Sequence, residues 1–212
     1  IFEKTDIEII NLIKSLDVDI LIDLNGLTEG NRINVVKNRC APIQICWLGY
    51  NNSTGLKNMD YLIADHNLIK KSEEKLYSEK ILYLPKIWNT YSRPTELPPI
   101  SYLNEKDSSL FSYGSFNNFK KISDDTIETW SKIIRNSNSQ IYLKNPHKDD
   151  SVDLKKNIIK KFTDKGVQKK KIIFLEYQKN TFNHLNLYNK IDLALDTFPY
   201  PGVTTTFEAV LM

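Results

Sequence analysis

Short apolar runs alternate with helix-spaced segments along this chain of 212 residues, and prolines interrupt the alternation once. A short apolar run followed by apolar side chains at every third or fourth position marks a β-strand feeding a helix. Repeated, the pattern calls for parallel strands, because neighbouring parallel strands need a crossover and helices are the usual one. In the first series, strands are expected at residues 18–24, 42–48, 60–64 and 80–84. Thr5-Asp-Ile-Glu8 fits a capping box, and Ile9, Ile10, Ile13 and Leu16 continue it at helical spacing. Further helices are expected near 33–38 and over 71–78. The second series predicts strands at 110–116, 140–143, 171–175 and 191–195, with helices over 151–164 and 180–190. Ser123 caps another helix, whose buried stripe is Ile127, Trp130, Ile133 and Ile134. Thr204, Thr205 and Thr206 open a last one.

Between the series, Pro85, Pro94, Pro98 and Pro99 stand among polar residues without periodicity. They divide the chain into a first domain at 1–88, a linker at 89–108 and a second domain at 109–212. Hydrophobic residues at 41% and charged residues at 26% are ordinary for a soluble globular protein. A net charge of +3 is too small to imply nucleic acid as a partner. No apolar run is long enough to span a bilayer, so no membrane segment is expected. Cys40 and Cys46 read as buried small hydrophobes. His66, His147 and His184 are too scattered for a metal site. The chain opens without an initiator methionine, shows no signal peptide and stops inside its last expected helix. It therefore reads as a fragment of a longer, cytoplasmic protein.

In open parallel sheets, ligands bind beyond the carboxyl ends of the strands. There the first series offers Asn25-Gly-Leu-Thr28, Gly49 and Tyr50. The second offers Asn117-Asn-Phe-Lys-Lys121, Lys144, the stretch 177–184 and the turn 202–206. At a helix start the backbone N–H groups lack partners and the dipole is positive, which suits phosphate. Threonine at a helix start is equally an ordinary cap, so the turn alone leaves both readings open. Its convergence with a lysine, and with a histidine or tyrosine that could stack on a base, makes a nucleoside-diphosphate site an equal alternative to the ordinary cap. The lysines between Lys144 and Lys171 read differently. Leu154, Ile158 and Phe162 give helix 151–164 a buried side, leaving Lys155, Lys156, Lys160 and Lys161 on a solvated one.

Several motifs then stand in register. They are Arg39-Cys-Ala-Pro-Ile-Gln-Ile-Cys-Trp-Leu-Gly-Tyr50, Ser53-Thr-Gly55, Met59-Asp-Tyr-Leu-Ile-Ala-Asp65 and Gly114-Ser-Phe-Asn-Asn-Phe-Lys-Lys-Ile122. His184-Leu-Asn-Leu-Tyr-Asn-Lys-Ile-Asp-Leu-Ala-Leu-Asp-Thr-Phe-Pro-Tyr200 and the Gly202 turn follow. Over residues 17–212 this series resembles the catalytic region of the O-linked N-acetylglucosamine transferase and SPINDLY family, which includes protein O-fucosyltransferases.

The resemblance implies an α/β fold of GT-B type with two Rossmann-like parallel-sheet domains, both incomplete over this span. The first would be the acceptor side and the second would bind the sugar nucleotide. It implies transfer of N-acetylglucosamine from UDP-N-acetylglucosamine to Ser or Thr hydroxyls of a protein or peptide acceptor, inverting and without a metal or other cofactor. Tetratricopeptide repeats would lie upstream. By the same resemblance Lys121 is the catalytic cation on the donor diphosphate and Asn118 lies near the phosphates. His184 packs on the base, Gly202, Thr204 and Thr205 form the phosphate turn, and Glu208 stands near the ribose. Asn25, Gly26 and Thr28 form a cleft loop near sugar or acceptor.

Three positions depart from the family pattern. Leu27 replaces a His or Tyr, Val203 replaces a His or Thr, and Asn51 replaces a Pro. The first two leave room for a catalytically inactive sugar-nucleotide or protein-binding module. Transfer of fucose from GDP-fucose is the other alternative, since both branches share these motifs.

Overall fold

A computed structural model describes residues 3–100, 110–146 and 152–212; His147, Ser151 and residues 101–109 of the expected linker lie outside the described residues. The chain divides after Thr90 into two compact units.

In the first unit, Thr5 closes the expected capping box. Its hydroxyl accepts Glu8 N–H at 3.3 Å, and its own N–H reaches Glu8 Oε2 at 2.8 Å. This starts α1 (Asp6–Ser15), which buries Ile9 against Val35 of α2 (Ile33–Val36) and against Cys40. Strands β1 (Ile20–Asp23), β2 (Ile43–Cys46), β3 (Tyr61–Ala64) and β4 (Lys80–Tyr83) follow. All pair in parallel in the order β1-β2-β3-β4, with Ile20 opposite Ile43 and Leu62 opposite Ile81. The helix expected over 71–78 is instead a 3-10 segment, Lys71–Leu76, with no buried residue. Without an apolar stripe to pack, so short a segment does not sustain α-helical turns.

The polar residues of the first unit's motifs hold this sheet together. Gln44 is fully buried; its Oε1 accepts Cys40 N–H at 2.9 Å, while Nε2 donates to Val36 and Asn58 carbonyls at 2.9 and 2.6 Å. Asp60 accepts Gln44 N–H at 2.8 Å, and Arg39 grips both of its carboxylate oxygens. Asp65 accepts the N–H groups of Asn67 and Leu68 at 2.8 Å and of Trp88 at 2.9 Å. The Arg39 guanidinium, opposed by partial burial and helped by Gln44 N–H, holds the Asp60 carboxyl below its usual range. A depressed carboxylate pKa stabilises the fold above the unfolded value of about 3.9 and stops doing so as pH falls through the folded value. Asp60→Asn is therefore expected to cost about 1 kcal/mol at neutral pH. That deficit should shrink on acidification below about pH 4, as read from melting temperature against pH.

The second unit carries β5 (Phe111–Ser115), α3 (Asp124–Arg135), β6 (Ser139–Leu143), α4 (Val152–Asp164), β7 (Ile172–Phe174), α5 (Thr181–Asn186), β8 (Leu193–Ala194) and α6 (Thr204–Leu211). Its sheet is parallel throughout, in the order β7-β6-β5-β8. Ser123 caps α3 as expected, accepting Thr126 N–H at 3.1 Å. Ile127, Trp130 and Ile134 join Ile141, Leu143, Ile158 and Phe162 in the largest core cluster. Lys160 and Lys161 pair with Asp164 and Asp124 on the solvated side of α4, as the pattern required. The helix expected over 180–190 tightens to 3-10 geometry at Leu187–Lys190, a common way for helices to end. Of the strand expected over 191–195, only Leu193–Ala194 is laddered.

Residues 91–99 pack onto this second unit. Tyr91 stacks on Phe207 with centroids 5.6 Å apart, Leu97 joins Phe116, Leu185 and Tyr188, and Asn189 donates to the Pro99 carbonyl at 2.9 Å. Cys40 and Cys46 are free and buried. Among the described residues no helix is long and apolar enough to cross a membrane.

Candidate functional site

The carboxyl edge of the second sheet gathers most of the expected residues. After β5 the chain turns through Asn117 and Asn118 into a 3-10 segment, Phe119–Lys121. After β8 it runs through Asp196, passes a cis Phe198–Pro199 peptide and reaches Gly202 and the start of α6. Ser123 and Thr126 at the head of α3 both donate to the Phe198 carbonyl, at 2.5 and 2.9 Å, and fix the turn to the α3 side.

Lys121 joins the two loops. Its Nζ donates to the Pro201 carbonyl at 3.0 Å and lies 4.3 Å from the centroid of the Tyr200 ring. Partial burial lowers its pKa, against the pull of the nearby Asp196 carboxylate. An ammonium thus stands directly on the turn that leads into α6. Val203 is the N-cap of that helix and supplies no side-chain cap. Thr206 and Phe207 donate their N–H groups to the Val203 carbonyl, both at 3.1 Å. The N–H groups of Thr204 and Thr205, one residue earlier, have no acceptor within the helix.

Two of the three threonine hydroxyls at this turn are engaged within the protein. Thr205 Oγ1 donates to Asn117 Oδ1 at 2.9 Å, and Thr206 Oγ1 donates to Asp196 Oδ2 at 3.3 Å. What Thr205 can offer outward is its backbone N–H; Thr204 is exposed. Gly202 lets these side chains close over the turn: an added Cβ would stand 2.3 Å from Thr205 Oγ1 and 2.7 Å from Asn117 Oδ1 and displace both. Asn118 accepts Lys120 N–H at 2.9 Å and so caps the 3-10 segment.

Deeper on the same edge, His184 Nε2 meets Glu208 Oε2 at 2.9 Å. Tyr188 OH lies 3.3 Å from the same carboxylate oxygen and 3.1 Å from the Thr205 carbonyl. Burial, with the Glu208 charge adding to it, raises the Tyr188 phenol well above its usual range and keeps it a donor. A cavity of about 360 Å³ opens between β8 and α6, reached by Asn117, Tyr188, Asp196, Thr205 and Thr206.

In the first unit, Asp23 at the end of β1 accepts Asn25 and Gly26 N–H at 3.1 and 2.9 Å, and Thr28 Oγ1 donates to the Asn25 carbonyl at 2.8 Å. Asn25, Gly26 and Thr28 thus form one tight turn, while Leu27 is exposed from it.

Residues 5–92 match the sequence model of glycosyl transferase family 41. Over 207 residues, 97% of the chain, it is 32% identical to a protein of Eustoma exaltatum subsp. russellianum named probable UDP-N-acetylglucosamine–peptide N-acetylglucosaminyltransferase SPINDLY. The chain belongs to glycosyl transferase family 41. A second family 41 relative, the Arabidopsis thaliana protein of the same enzyme name designated SEC, is 31% identical over 64% of the chain and 15% of its own length. A solved structure of a mutant O-GlcNAc transferase of Thermobaculum terrenum superposes with a TM-score of 0.87 at 30% identity, over 100% of this chain and 40% of that one. The fold expectation therefore holds: an α/β family 41 chain of GT-B type with two Rossmann-like parallel sheets. The chain spans about a fifth of the length of its curated relatives, 22% of the Eustoma protein.

Three residues at this edge have no role of their own in the sequence reading, although Asn117 opens one of its strand-end stretches. Asn117 and Asp196 follow their strands almost directly, and Tyr188 lies one helical turn beyond His184. Position past a strand end was the available signal for the first two. The i, i+4 spacing from His184 was the signal for Tyr188.

Proposed function

We propose that this chain forms the nucleotide-holding part of a glycosyltransferase that moves N-acetylglucosamine from UDP-N-acetylglucosamine to Ser or Thr hydroxyls of a protein acceptor, inverting and without a metal. One observation carries the reading: the Lys121 ammonium stands 3.0 Å from the Pro201 carbonyl, on the turn whose next residues open α6. Cation and helix start converge where a diphosphate would sit. The acceptor oxygen attacks the anomeric carbon as the bond to the β-phosphate oxygen breaks; the electron pair stays on the diphosphate, and the hydroxyl proton passes to solvent as the new bond forms. Lys121 then meets the charge as it grows, the part a divalent metal plays in other transferases. In this proposal Gly202, Thr204 and Thr205 seat the phosphates with backbone N–H groups. Asn118 shapes the loop that carries Lys121, His184 presents its ring to the base, and Glu208 stands toward the ribose. Asn25, Gly26 and Thr28 belong to the acceptor side. The proposal extends to a cytoplasmic protein with tetratricopeptide repeats upstream.

Calorimetric titration of the full-length protein with UDP and GDP separates the readings. Binding of UDP alone is the expected result. Binding of GDP alone moves the assignment to fucose transfer. Binding of neither removes the nucleotide site and leaves a protein-binding module, the reading that exposed Leu27 and uncapped Val203 favour.

A further inference from the structure

We infer that Asp196 is a positioning residue for the donor diphosphate, acting through the geometry of the turn that ends at α6 and not through its charge. The inference rests on the proposed nucleotide site. Asp196 is the first polar residue after the β8 run, and its carboxylate gathers four donors from three parts of the site. Oδ1 accepts Thr197 N–H and Gly202 N–H, both at 2.8 Å, and the Asn117 side-chain amide at 3.0 Å. Oδ2 accepts the Thr206 hydroxyl at 3.3 Å. Asn117 closes the ring, because its Oδ1 accepts the Thr205 hydroxyl at 2.9 Å. Both ends of the turn 196–202 and the first turn of α6 are thereby tied to the loop after β5.

A carboxylate beside an anion site is electrostatically adverse, since like charges repel and the ligand brings its own negative charge. Its presence needs a compensating gain, and the hydrogen bonds name one. With Val203 at the N-cap, no side chain caps α6, so the helix start has no local device to fix its direction. Asp196 does so from outside the helix. It pins Gly202 N–H and the Thr206 hydroxyl on either side of the Thr204 and Thr205 N–H groups that remain available to phosphate. Preorganised N–H donors bind an anion better than mobile ones because less entropy is lost on binding.

Two substitutions separate geometry from charge. Asp196→Ala removes all four acceptor contacts. Asp196→Asn keeps an amide oxygen for Thr197, Gly202 and Asn117, and its NH₂ can donate to the Thr206 hydroxyl, while the charge is gone. In the full-length protein, Asp196→Ala is expected to weaken UDP binding by about tenfold or more and to raise KM for the sugar nucleotide more than it lowers kcat. It should also speed hydrogen exchange at Thr197 and Gly202 N–H in the unliganded protein. Asp196→Asn should bind UDP within a few-fold of the unaltered protein and exchange slowly. Unaltered exchange or unaltered UDP affinity in Asp196→Ala overturns the inference, as does an Asp196→Asn variant as weak as Asp196→Ala. Failure of the unaltered protein to bind UDP or GDP overturns the donor site itself, and this inference with it.

Discussion

Lys121→Ala lowers turnover by about 100- to 1,000-fold, with a much smaller change in KM for the sugar nucleotide. The asymmetry follows from when the charge appears. In the proposed donor complex the diphosphate is already an anion, and backbone N–H groups at the start of α6 would share its charge with Lys121. As the glycosidic bond breaks, a further negative charge develops on the leaving oxygen, and an interaction that strengthens only then lowers the barrier without tightening ground-state binding. Lys121 is placed for this by Asn118, which caps the 3-10 segment, and by the Pro201 carbonyl at 3.0 Å. The cost to the fold is small, about 1 kcal/mol for a hydrogen bond and a cation–π contact near the surface. The melting temperature of the variant should therefore stay close to that of the unaltered protein. A pH profile gives a second readout. Burial lowers the Lys121 pKa, so the alkaline limb of kcat/KM, which reports the free enzyme, should lie below the usual lysine value of about 10.4. Turnover that survives Lys121→Ala would show that the leaving diphosphate is stabilised by another group.

How much of this was legible in the sequence varies with the kind of force involved. Strands and helices with an apolar stripe were readable, because burial imposes a period. β2 and β6 bury Cys46, Ile141 and Leu143 almost completely, and their runs stood out accordingly. Segment 71–76 has charge but no stripe, and its character was not readable from spacing. The motif residues Gln44, Asp60 and Asp65 are recognisable as a signature, yet they bond backbone groups of the first unit. A polar side chain buried for folding and one poised for chemistry look alike in a sequence, because both satisfy hydrogen bonds in a nearly dry setting.

The site shows the same limit at finer grain. Lys121, Gly202 and the head of α6 come together as strand-end reasoning required. Asn118 and Asn117 are adjacent and identical in type, yet one caps a local turn while its neighbour reaches across to Thr205 and Asp196. Successive side chains near a strand end point to opposite sides, so a shift of one residue decides which asparagine faces the turn. Likewise, three consecutive threonines suggest three hydroxyls for phosphate, while two of them are engaged by Asn117 and Asp196. Long-range partners 88 and 10 residues away in the chain fixed those orientations, and no local pattern encodes them.

Gly49→Ala is expected to destabilise the first unit by about 3 kcal/mol, at the upper end for an overpacked interior. A Cβ at Gly49 would stand 2.0 Å from the Leu24 carbonyl oxygen, 3.0 Å from its carbon and 3.2 Å from Asn25 Cα. These are backbone atoms, so no rotamer change relieves the clash. The loop after β1 must move bodily, and it is held on its far side by Asp23 through Asn25 and Gly26 N–H. Gly26 leaves no slack either, since its own Cβ would meet Tyr50 Cβ at 2.4 Å. The two loops touch glycine against chain in both directions. Gly30→Ala is the matched control: its φ of +75 makes alanine strained, but nothing lies within 4 Å. That substitution should cost only the left-handed backbone penalty of about 1–2 kcal/mol. For a unit of this size, residues 1–90, the Gly49 variant should melt about 12–24 °C lower, clearly below the Gly30 variant. Equal losses from the two substitutions would mean that conformation, not close approach, fixes glycine at position 49. If the difference appears, Asn25, Gly26 and Thr28 owe their placement to a contact between two strand ends, and acceptor turnover should fall in Gly49→Ala while UDP binding by the second unit does not.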